Sequence, residues 1–402
     1  MKGISRRHLL RLASRLPVIG FASALSNACA RTAQAKSSDG NGPPTFIKGV
    51  WQQPAEKMAL WKARGINTLF AVNGGGDVGL WTKEANKQDL YMVREPVGIS
   101  YSAPKPSFLV IDRAAFEQDL HEPRLLALAL MDEPSNPKPG GKDITYEEVW
   151  LRPDEIDVIA RDWSVSGKPL WINHVGAHVN NVYLDKIMSD YADSRYIDWL
   201  SHDCYPIASG DALTLELDGY TSTHQGHAID RMSRWSAGKP QFSFIALTQF
   251  NGQVGRETTP SEFRAQAWSS IIHGATGLIY FSFKFSPEFS YDATPPELAS
   301  ELAVLHSQID EISDILMDVG RGGRRPSFLL RSVRGSETQL APGLPHPFEG
   351  CQIRTDDGEY KIILNLSDDA AELTYSPWGL YSLRFAPYEC RRGFAAAELI
   401  SK

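Results

Sequence analysis

The run "LLALALMDEPSN", from Leu125 to Asn136, is apolar over its first seven residues and then meets two adjacent carboxylates. A continuous apolar run of this length is typical of a strand that is buried on both faces, as in a parallel sheet. Asp132 and Glu133 follow directly, and Pro134 closes the run. Because an unpaired buried charge is costly, the pair is expected at a strand end. There it either points into water or forms a catalytic pair at the mouth of a barrel.

Short apolar runs alternate with helical patterns on both sides of this stretch, from Phe46 to about residue 320. The predicted strands are FIKGVW, INTLFAV, DLYMVREP, LLALALMDEP, KPLWINHVG, IDWLSHDCYPI, KPQFSFIALTQF and TGLIYFSFKF. Eight strands that mostly alternate with helices indicate an α/β fold, a parallel (β/α)8 TIM barrel. The pattern is weakest between Gly74 and Ser107.

A doubly wound sheet is the competing fold, and it needs a phosphate loop after its first strand. The segment "GGGDVG", Gly74 to Gly79, has the right letters, but it follows the second predicted strand. With no apolar helix evident after it, we interpret it as a Gly-rich active-site loop rather than a nucleotide site.

The chain divides into four predicted segments. Residues 1–35 read as an export signal, 36–44 as a linker, 45–320 as the catalytic barrel and 321–402 as a small all-β sandwich domain. The last assignment rests on short runs split by Gly, Pro, Asp and Asn. Cys351 and Cys390 both fall in it, so an oxidising compartment would allow them to pair.

The N-terminus has the order of a twin-arginine signal. Arg6 and Arg7 precede the apolar stretch "LPVIGFASAL", and "AQA" fits a signal peptidase site. We therefore expect the twin-arginine export machinery as a partner and a periplasmic or secreted bacterial protein. Cys29 suggests a lipoprotein anchor as the alternative, although Ser26 replaces the usual leucine.

Composition limits the remaining partners. A net charge of -7 argues against a nucleic-acid-binding surface, and no internal run of eighteen apolar residues predicts a membrane span. The histidines are not spaced as a metal hydrolase would require, and there is no G-x-S-x-G motif for a nucleophilic serine. We expect no metal and no cofactor.

The active site of such a barrel lies at the C-terminal ends of its strands. The residues at those ends are polar, acidic and aromatic, which suits a carbohydrate substrate, because sugar hydroxyls need hydrogen-bond partners and sugar C–H faces stack on rings. Besides the carboxylates Asp132, Glu133 and Asp203, the candidate substrate-binding residues are Trp51, Asn73, Arg94, Trp171, Asn173, His174, Tyr205, Gln249, Tyr280 and Lys284. Each of these also has a structural explanation, as barrel filling, a core histidine or a local ion pair.

Together "MDEP", "HDCYP" and "AWSSIIHGATGLIYFSF" give the chain a resemblance to the TIM-barrel glycoside hydrolases with a C-terminal β domain. The chain departs from the largest group of these enzymes, because its seventh strand ends in Gln249 rather than in a glutamate nucleophile. The adjacent Asp132 and Glu133 are similar to the pair in hexosaminidase-type barrels. That resemblance implies that Glu133 is the acid/base and that Asp132 orients a 2-acetamido group.

Two mechanisms stay open at this point. In both, Glu133 donates the proton, and strand alternation is expected to send Asp132 and Glu133 in different directions. Asp132 then supports an acetamido nucleophile of the substrate, or Asp203 activates water and inverts configuration across roughly 6.5–9.5 Å. The alternatives to a glycoside hydrolase are a non-catalytic carbohydrate-binding barrel and a polysaccharide lyase that uses Tyr205 and His174.

Overall fold

The structure of this protein is a computed structural model. It describes residues 42–73, 76–102, 107–110, 112–138, 140–208, 225–236, 238–250, 255–321, 327–330, 347–355, 357–375 and 381–394. The predicted export signal and residues 36–41 of the predicted linker lie outside these residues, so they stay predictions.

The described residues form the eight predicted barrel strands in the predicted order, together with further helices and strands. The strands are β1 (Ile47–Trp51), β2 (Thr68–Phe70), β3 (Tyr91–Arg94), β4 (Ile99–Ser102), β5 (Ser107–Val110), β6 (Leu125–Met131), β7 (Leu170–Val175), β8 (Trp199–Asp203), β9 (Gln241–Ala246), β10 (Gly277–Phe281), β11 (Ser327–Leu330), β12 (Phe348–Thr355), β13 (Gly358–Asn365), β14 (Ala371–Tyr375), β15 (Tyr381–Phe385) and β16 (Cys390–Gly393). The α-helices are α1 (Met58–Ala63), α2 (Val78–Lys87), α3 (Arg113–Asp119), α4 (Pro153–Ser164), α5 (Gly176–Asn180), α6 (Asp185–Ala192), α7 (Gln225–Trp235), α8 (Pro260–Ile272), α9 (Pro296–Asp310) and α10 (Ser313–Arg321). Two 3-10 turns, Ala55–Lys57 and Val182–Leu184, precede α1 and α6.

Eight of these strands close into a parallel barrel. Around the ring the order is β1, β10, β9, β8, β7, β6, β3, β2, and β1 pairs with β2 to complete it. This confirms the (β/α)8 prediction and excludes the doubly wound sheet, which would have open edges.

The segment that follows β2 corrects one detail of the prediction. A helix, α2, does begin directly after the glycine-rich stretch, because the Asp77 side chain caps it by accepting a hydrogen bond from Leu80 N at 2.9 Å. Only Trp81 and Ala85 of α2 are buried, so its apolar pattern is faint in sequence. Gly74 and Gly75 lie outside the described residues.

Aromatic side chains fill the inside of the barrel. The ring centroid of Trp171 lies 5.8 Å from that of Trp51 and 5.4 Å from that of Phe70, and Phe242 and Phe244 pack against the same group. Trp51 is 7% exposed and Trp171 is 1% exposed. The barrel is therefore closed below its mouth, and both tryptophans form the floor of any site above.

The C-terminal strands form antiparallel sheets, as predicted. The order β11, β12, β13, β16 makes one sheet, and β14 pairs with β15. The larger sheet packs on α8 through a buried network: Ser269 Oγ donates to Glu349 at 2.9 Å, and His273 Nδ1 lies 2.8 Å from Asp230. His273 Nε2 also lies 3.4 Å from Glu349.

The register of this sheet argues against a disulfide between Cys351 and Cys390. Both thiols are free, and β13 runs between them, with Cys351 opposite Ile362 and Cys390 opposite Leu364. Two strand spacings amount to roughly 9–10 Å. A disulfide needs Cα atoms no more than about 7 Å apart, so pairing would require the sheet to rearrange.

Within the described part of the chain, every helix is too short or too polar to cross a bilayer.

Candidate active site

Three neighbouring strands are tied together at their C-terminal ends by side chains. Asn173, on β7, donates from Nδ2 to Asp132 Oδ1 at 2.9 Å, and Ser201, on β8, donates from Oγ to Asn173 Oδ1 at 2.7 Å. Asn173 and Ser201 are register partners, so both side chains leave the same face of the sheet. This relay fixes the orientation of the Asp132 carboxyl group.

Asp132 and Glu133 both reach the mouth, although simple alternation predicts that they diverge. The pairing of β6 with β7 shifts between Ala129 and Met131, which is the signature of a β-bulge. Glu133 then has a φ of +48°, in the left-handed region that non-glycine residues seldom adopt. Bulges and such backbone conformations recur beside active sites, where they redirect side chains.

Asp203, at the end of β8, makes direct contact with Glu133. Its Oδ1 accepts a hydrogen bond from Gly176 N at 3.0 Å, and its carboxyl group is hydrogen-bonded to that of Glu133. Burial raises the pKa of Asp203 well above its ordinary value, and the Glu133 bond and the charges of Glu133 and Asp132 raise it further.

This contact corrects the predicted inverting pair. Hydrogen-bonded carboxyl groups are closer than the roughly 6.5–9.5 Å that leaves room for a water molecule between them and the sugar. At this separation there is no room between the Asp203 and Glu133 carboxyl groups for both a sugar and an attacking water molecule.

Gly176 is required for this arrangement. A Cβ atom at this position would lie 2.8 Å from Cα and Cβ of Cys204. Only glycine allows the backbone at the start of α5 to approach the end of β8 so closely that its N–H reaches Asp203. Cys204 itself is buried.

The pKa of Asp132 is raised to about 7. Burial is the largest cause, followed by the charge of Glu133, while the Asn173 hydrogen bond opposes them. The side chain is nevertheless reached by solvent, so it lies in an opening that is enclosed by protein on most sides. A carboxyl group with this pKa changes charge in the physiological range.

Glu95, which follows β3, is a fourth carboxyl group that the sequence prediction left aside. Burial raises its pKa, and hydrogen bonds from its own N–H and from Val72 N–H oppose the rise. Its charge also raises the pKa of Asp132, which places it beside the cluster. The neighbouring Arg94 points the other way and forms an ion pair with Asp119 at 2.6 Å. Arg94 therefore does not line the mouth.

Two other predicted residues face the helices rather than the mouth. His174 is completely buried, with its ring 5.7 Å from that of Tyr191. Tyr280 is equally buried, and its hydroxyl lies 2.9 Å from His306 Nε2. A lyase base pair of Tyr205 and His174 is not assembled, because their side chains leave opposite faces of the barrel wall.

The predicted residues that do lie at the mouth, half-buried, are Asn73, Tyr205, Gln249 and Lys284. Tyr205 lies beside the cluster. Burial raises its phenol pKa well above the ordinary value, and the charges of Asp203, Glu133 and Asp132 add to the rise.

The turn after β6 supplies two contacts that the prediction missed. Asn136 donates from Nδ2 to a carboxylate oxygen of Glu133, and its own N–H bonds to Glu133 O at 3.1 Å. His178 lies 2.9 Å from Ser135 Oγ, and the charge of Glu133 raises its pKa while burial, the larger effect, lowers it. The sequence does contain a signal for this contact, because Pro134, Ser135 and Asn136 are residue types that favour a turn directly after Glu133.

Two further features of the described residues do not compete with this cluster. No group of three or more His, Cys, Asp and Glu is placed there to hold a metal ion. A charged depression of about 480 Å³ between α4 and α6 lies at the opposite end of the barrel, beside Asp157 and Arg195.

No family model matches the chain, and no curated protein matches it. Among solved structures, AmyP in complex with maltose is 9% identical, covering 85% of this chain and 90% of that chain with a TM-score of 0.47. A GH30 endoxylanase from Clostridium papyrosolvens C71 is 11% identical, covering 87% and 94% with a TM-score of 0.40. A truncated 3-deoxy-D-arabino-heptulosonate 7-phosphate synthase from Thermotoga maritima is 12% identical, covering 67% and 88% with a TM-score of 0.36. Because likenesses this distant occur with proteins of different activity, the function has to be argued from the site.

Proposed function

We propose that this protein is a glycoside hydrolase that cleaves O-glycosidic bonds of an oligosaccharide or polysaccharide. The observation that carries the proposal is the cluster of Asp132, Glu133 and Asp203 at the C-terminal mouth of a TIM barrel. Its members are held by Asn173 and by Gly176 N–H, above an aromatic floor. Glycosidic bond cleavage requires carboxyl groups at the mouth, and the pKa values of Asp132 and Asp203 are raised there.

Glu133 is the proton donor in this proposal. In this mechanism Glu133 delivers its carboxyl proton to the leaving oxygen as the glycosidic bond breaks. Asp203 is a positioning residue, since it is bonded to the backbone at Gly176 and holds the Glu133 carboxyl group in place.

Asp132 supports the nucleophile, which the substrate itself supplies. Because Asp203 contacts Glu133 directly, it cannot act as the second, opposed carboxylate, and the substrate-assisted route is favoured over inversion. The acetamido oxygen attacks the anomeric carbon as the C–O bond breaks and the proton reaches the leaving group. Water, deprotonated by Glu133, then opens the cyclic intermediate, so configuration is retained.

The test is hydrolysis by purified protein of a panel of aryl glycosides and polysaccharides that includes 2-acetamido sugars. Glu133→Gln keeps the shape and removes the acid, so it should lower kcat by about 10²–10⁴-fold on substrates with poor leaving groups. Aryl glycosides with very good leaving groups should lose much less. Glu117→Gln, on α3 with a side chain that is 65% exposed, is the matched control and should behave as the wild type.

Three results would count against the proposal. Full activity of Glu133→Gln on poor leaving groups would remove the proton-donor role. Sugar binding by the wild type without any turnover would indicate a non-catalytic carbohydrate-binding barrel. An unsaturated, ultraviolet-absorbing product would indicate a lyase.

A further inference from the structure

An aromatic surface continues outward from the carboxyl cluster. The ring of Tyr205 lies 5.3 Å from that of Phe250 and 5.5 Å from that of Phe281. Phe281 in turn lies 6.1 Å from Phe285, and Phe285 lies 6.1 Å from Phe289. These rings lead from the candidate catalytic residues to the outside of the molecule without a break.

The outer end of this surface is open to solvent. Phe285 is 51% exposed and Phe289 is 53% exposed, and their ring planes differ by 31°, so they present a nearly common face. They are the only phenylalanines among the exposed large apolar residues of the described part of the chain. Adjacent exposed rings of this kind mark a binding surface more often than scattered apolar residues do.

The loop that carries the two rings is held in place. Lys284 and Ser290 exchange backbone hydrogen bonds of 3.0 and 2.9 Å, and Phe285 N donates to Phe250 O at 2.7 Å. From below, the ring of Phe283 supports Phe289 at 5.8 Å. A binding surface works best when it is rigid before the ligand arrives, and these contacts provide that rigidity.

We infer that Phe285 and Phe289 form a subsite that stacks a sugar unit beyond the bond to be cleaved, so that the substrate is an oligosaccharide rather than a single glycosyl unit. This inference rests on the proposed glycoside hydrolase function. A sugar unit is the expected occupant because the row of rings starts at Tyr205, beside the carboxyl cluster. A sugar chain bound at the cluster would pass over Phe285 and Phe289. The half-buried Lys284 and the exposed Glu288 flank the rings and offer partners for sugar hydroxyls.

The experiment uses the full chain with Glu133→Gln, so that bound sugar is not cleaved. A glycan array of one- to six-unit oligosaccharides identifies a bound series, and affinities are then measured by titration with its one-unit and four-unit members. In the Phe285→Ala/Phe289→Ala variant, the preference for four units over one should fall about tenfold, since each aromatic contact adds roughly 0.5–1.5 kcal/mol.

Two control variants separate stacking from damage to the fold. Phe285→Tyr/Phe289→Tyr keeps both rings and should retain the preference for four units. Val165→Ala removes an exposed apolar side chain at the end of α4, at the opposite end of the barrel, and should change nothing.

The outcomes distinguish the two levels of the argument. An unchanged preference in the alanine variant, with sugar binding intact, overturns the subsite and leaves the proposed function standing. Concentration-dependent self-association that the alanine variant abolishes, without a change in sugar preference, would make the surface an interface between copies and also overturn the subsite. Failure to bind any glycan on the array would overturn both the subsite and the proposed function.

Discussion

The titration of Asp132 offers the sharpest test of the site, and Asn173→Ala is the perturbation. The Asn173 amide donates to Asp132 Oδ1 at 2.9 Å and is the contact that lowers the pKa of this carboxyl group against burial and the neighbouring charges. A hydrogen bond to a charged group contributes about 1.5–3 kcal/mol, and 1.36 kcal/mol corresponds to one pH unit, which gives an upward displacement of about one to two pH units. Because solvent reaches Asp132 and replaces part of the lost bond, about one pH unit is expected.

The measurement is the midpoint of the Asp132 titration, followed by carbon NMR of the carboxyl group between pH 5 and pH 9. The wild-type midpoint should lie near 7 and the Asn173→Ala midpoint clearly higher. Ser201→Ala keeps the amide and removes only the bond that orients it, so its effect should be smaller. In the proposed mechanism Asp132 acts as a carboxylate, so the acidic limb of kcat/KM should move with the midpoint. An unchanged or lower midpoint in Asn173→Ala would refute this account of the relay.

Three further predictions concern stability. The pKa of Asp203 is raised in the folded protein, so its contribution to stability is fully present below about pH 3.8 and is lost as pH rises. Asparagine does not ionise, so Asp203→Asn should raise Tm more at pH 8 than at pH 5. His174 and His202 are buried with pKa values lowered to about 3, so their contribution to stability is present above pH 6.5 and is lost as pH falls toward 3. In His174→Leu/His202→Leu, the free energy of unfolding measured in urea should therefore fall less steeply with acid than in the wild type. Glu349→Leu removes the acceptor of the buried Ser269 hydroxyl and the contact with His273, so it should lower the free energy of unfolding by about 1–3 kcal/mol, whereas an unchanged Tm would contradict a structural role for this network.

The barrel could be predicted from sequence because its strands are short apolar runs and its helices carry capping signals. α8 illustrates this: Thr259 caps it and Glu262 completes a capping box. α2 could not be predicted because only two of its residues are buried, which leaves almost no helical periodicity of apolar residues in the sequence. Its capping residue, Asp77, also follows three glycines, which are typical of a loop. The hairpin of β4 and β5 was missed because it belongs to no repeat of the barrel.

The site could be predicted only to the level of which strand ends converge. Parallel strands bring Asp132, Asn173 and Asp203 to one end, but adjacent residues cannot all face inward. Alternation along β7 separates the inward Asn173 from the outward His174, and along β10 it turns Tyr280 toward the helices. Which side chains of a strand face inward depends on which residues fill the barrel. Packing of the whole barrel decides this, rather than the local sequence.

β6 shows why alternation alone also fails. Its bulge and the left-handed backbone of Glu133 are tertiary features, since the same seven apolar residues would form a regular strand elsewhere. Without them only one of the two adjacent carboxyl groups would point into the mouth. The sequence shows the pair, and the shape of the strand end turns both side chains toward the mouth.

Several unfavourable features coincide at this strand end. Glu133 occupies a backbone conformation that costs of order 1–3 kcal/mol in a non-glycine residue, and the bulge interrupts the hydrogen-bond ladder. Burial raises the pKa of both Asp132 and Asp203, and the charges of nearby carboxyl groups raise them further. Ionising either residue therefore destabilises the fold as pH rises. A glycine at 133 or an amide at 203 would relieve part of this without disturbing the barrel. Strained backbone and buried carboxyl groups are expected where a protein gives up stability for a reactive arrangement of groups. Here they are concentrated on the residues that would transfer the proton, and this is the physical reason for placing the proposed chemistry at this strand end.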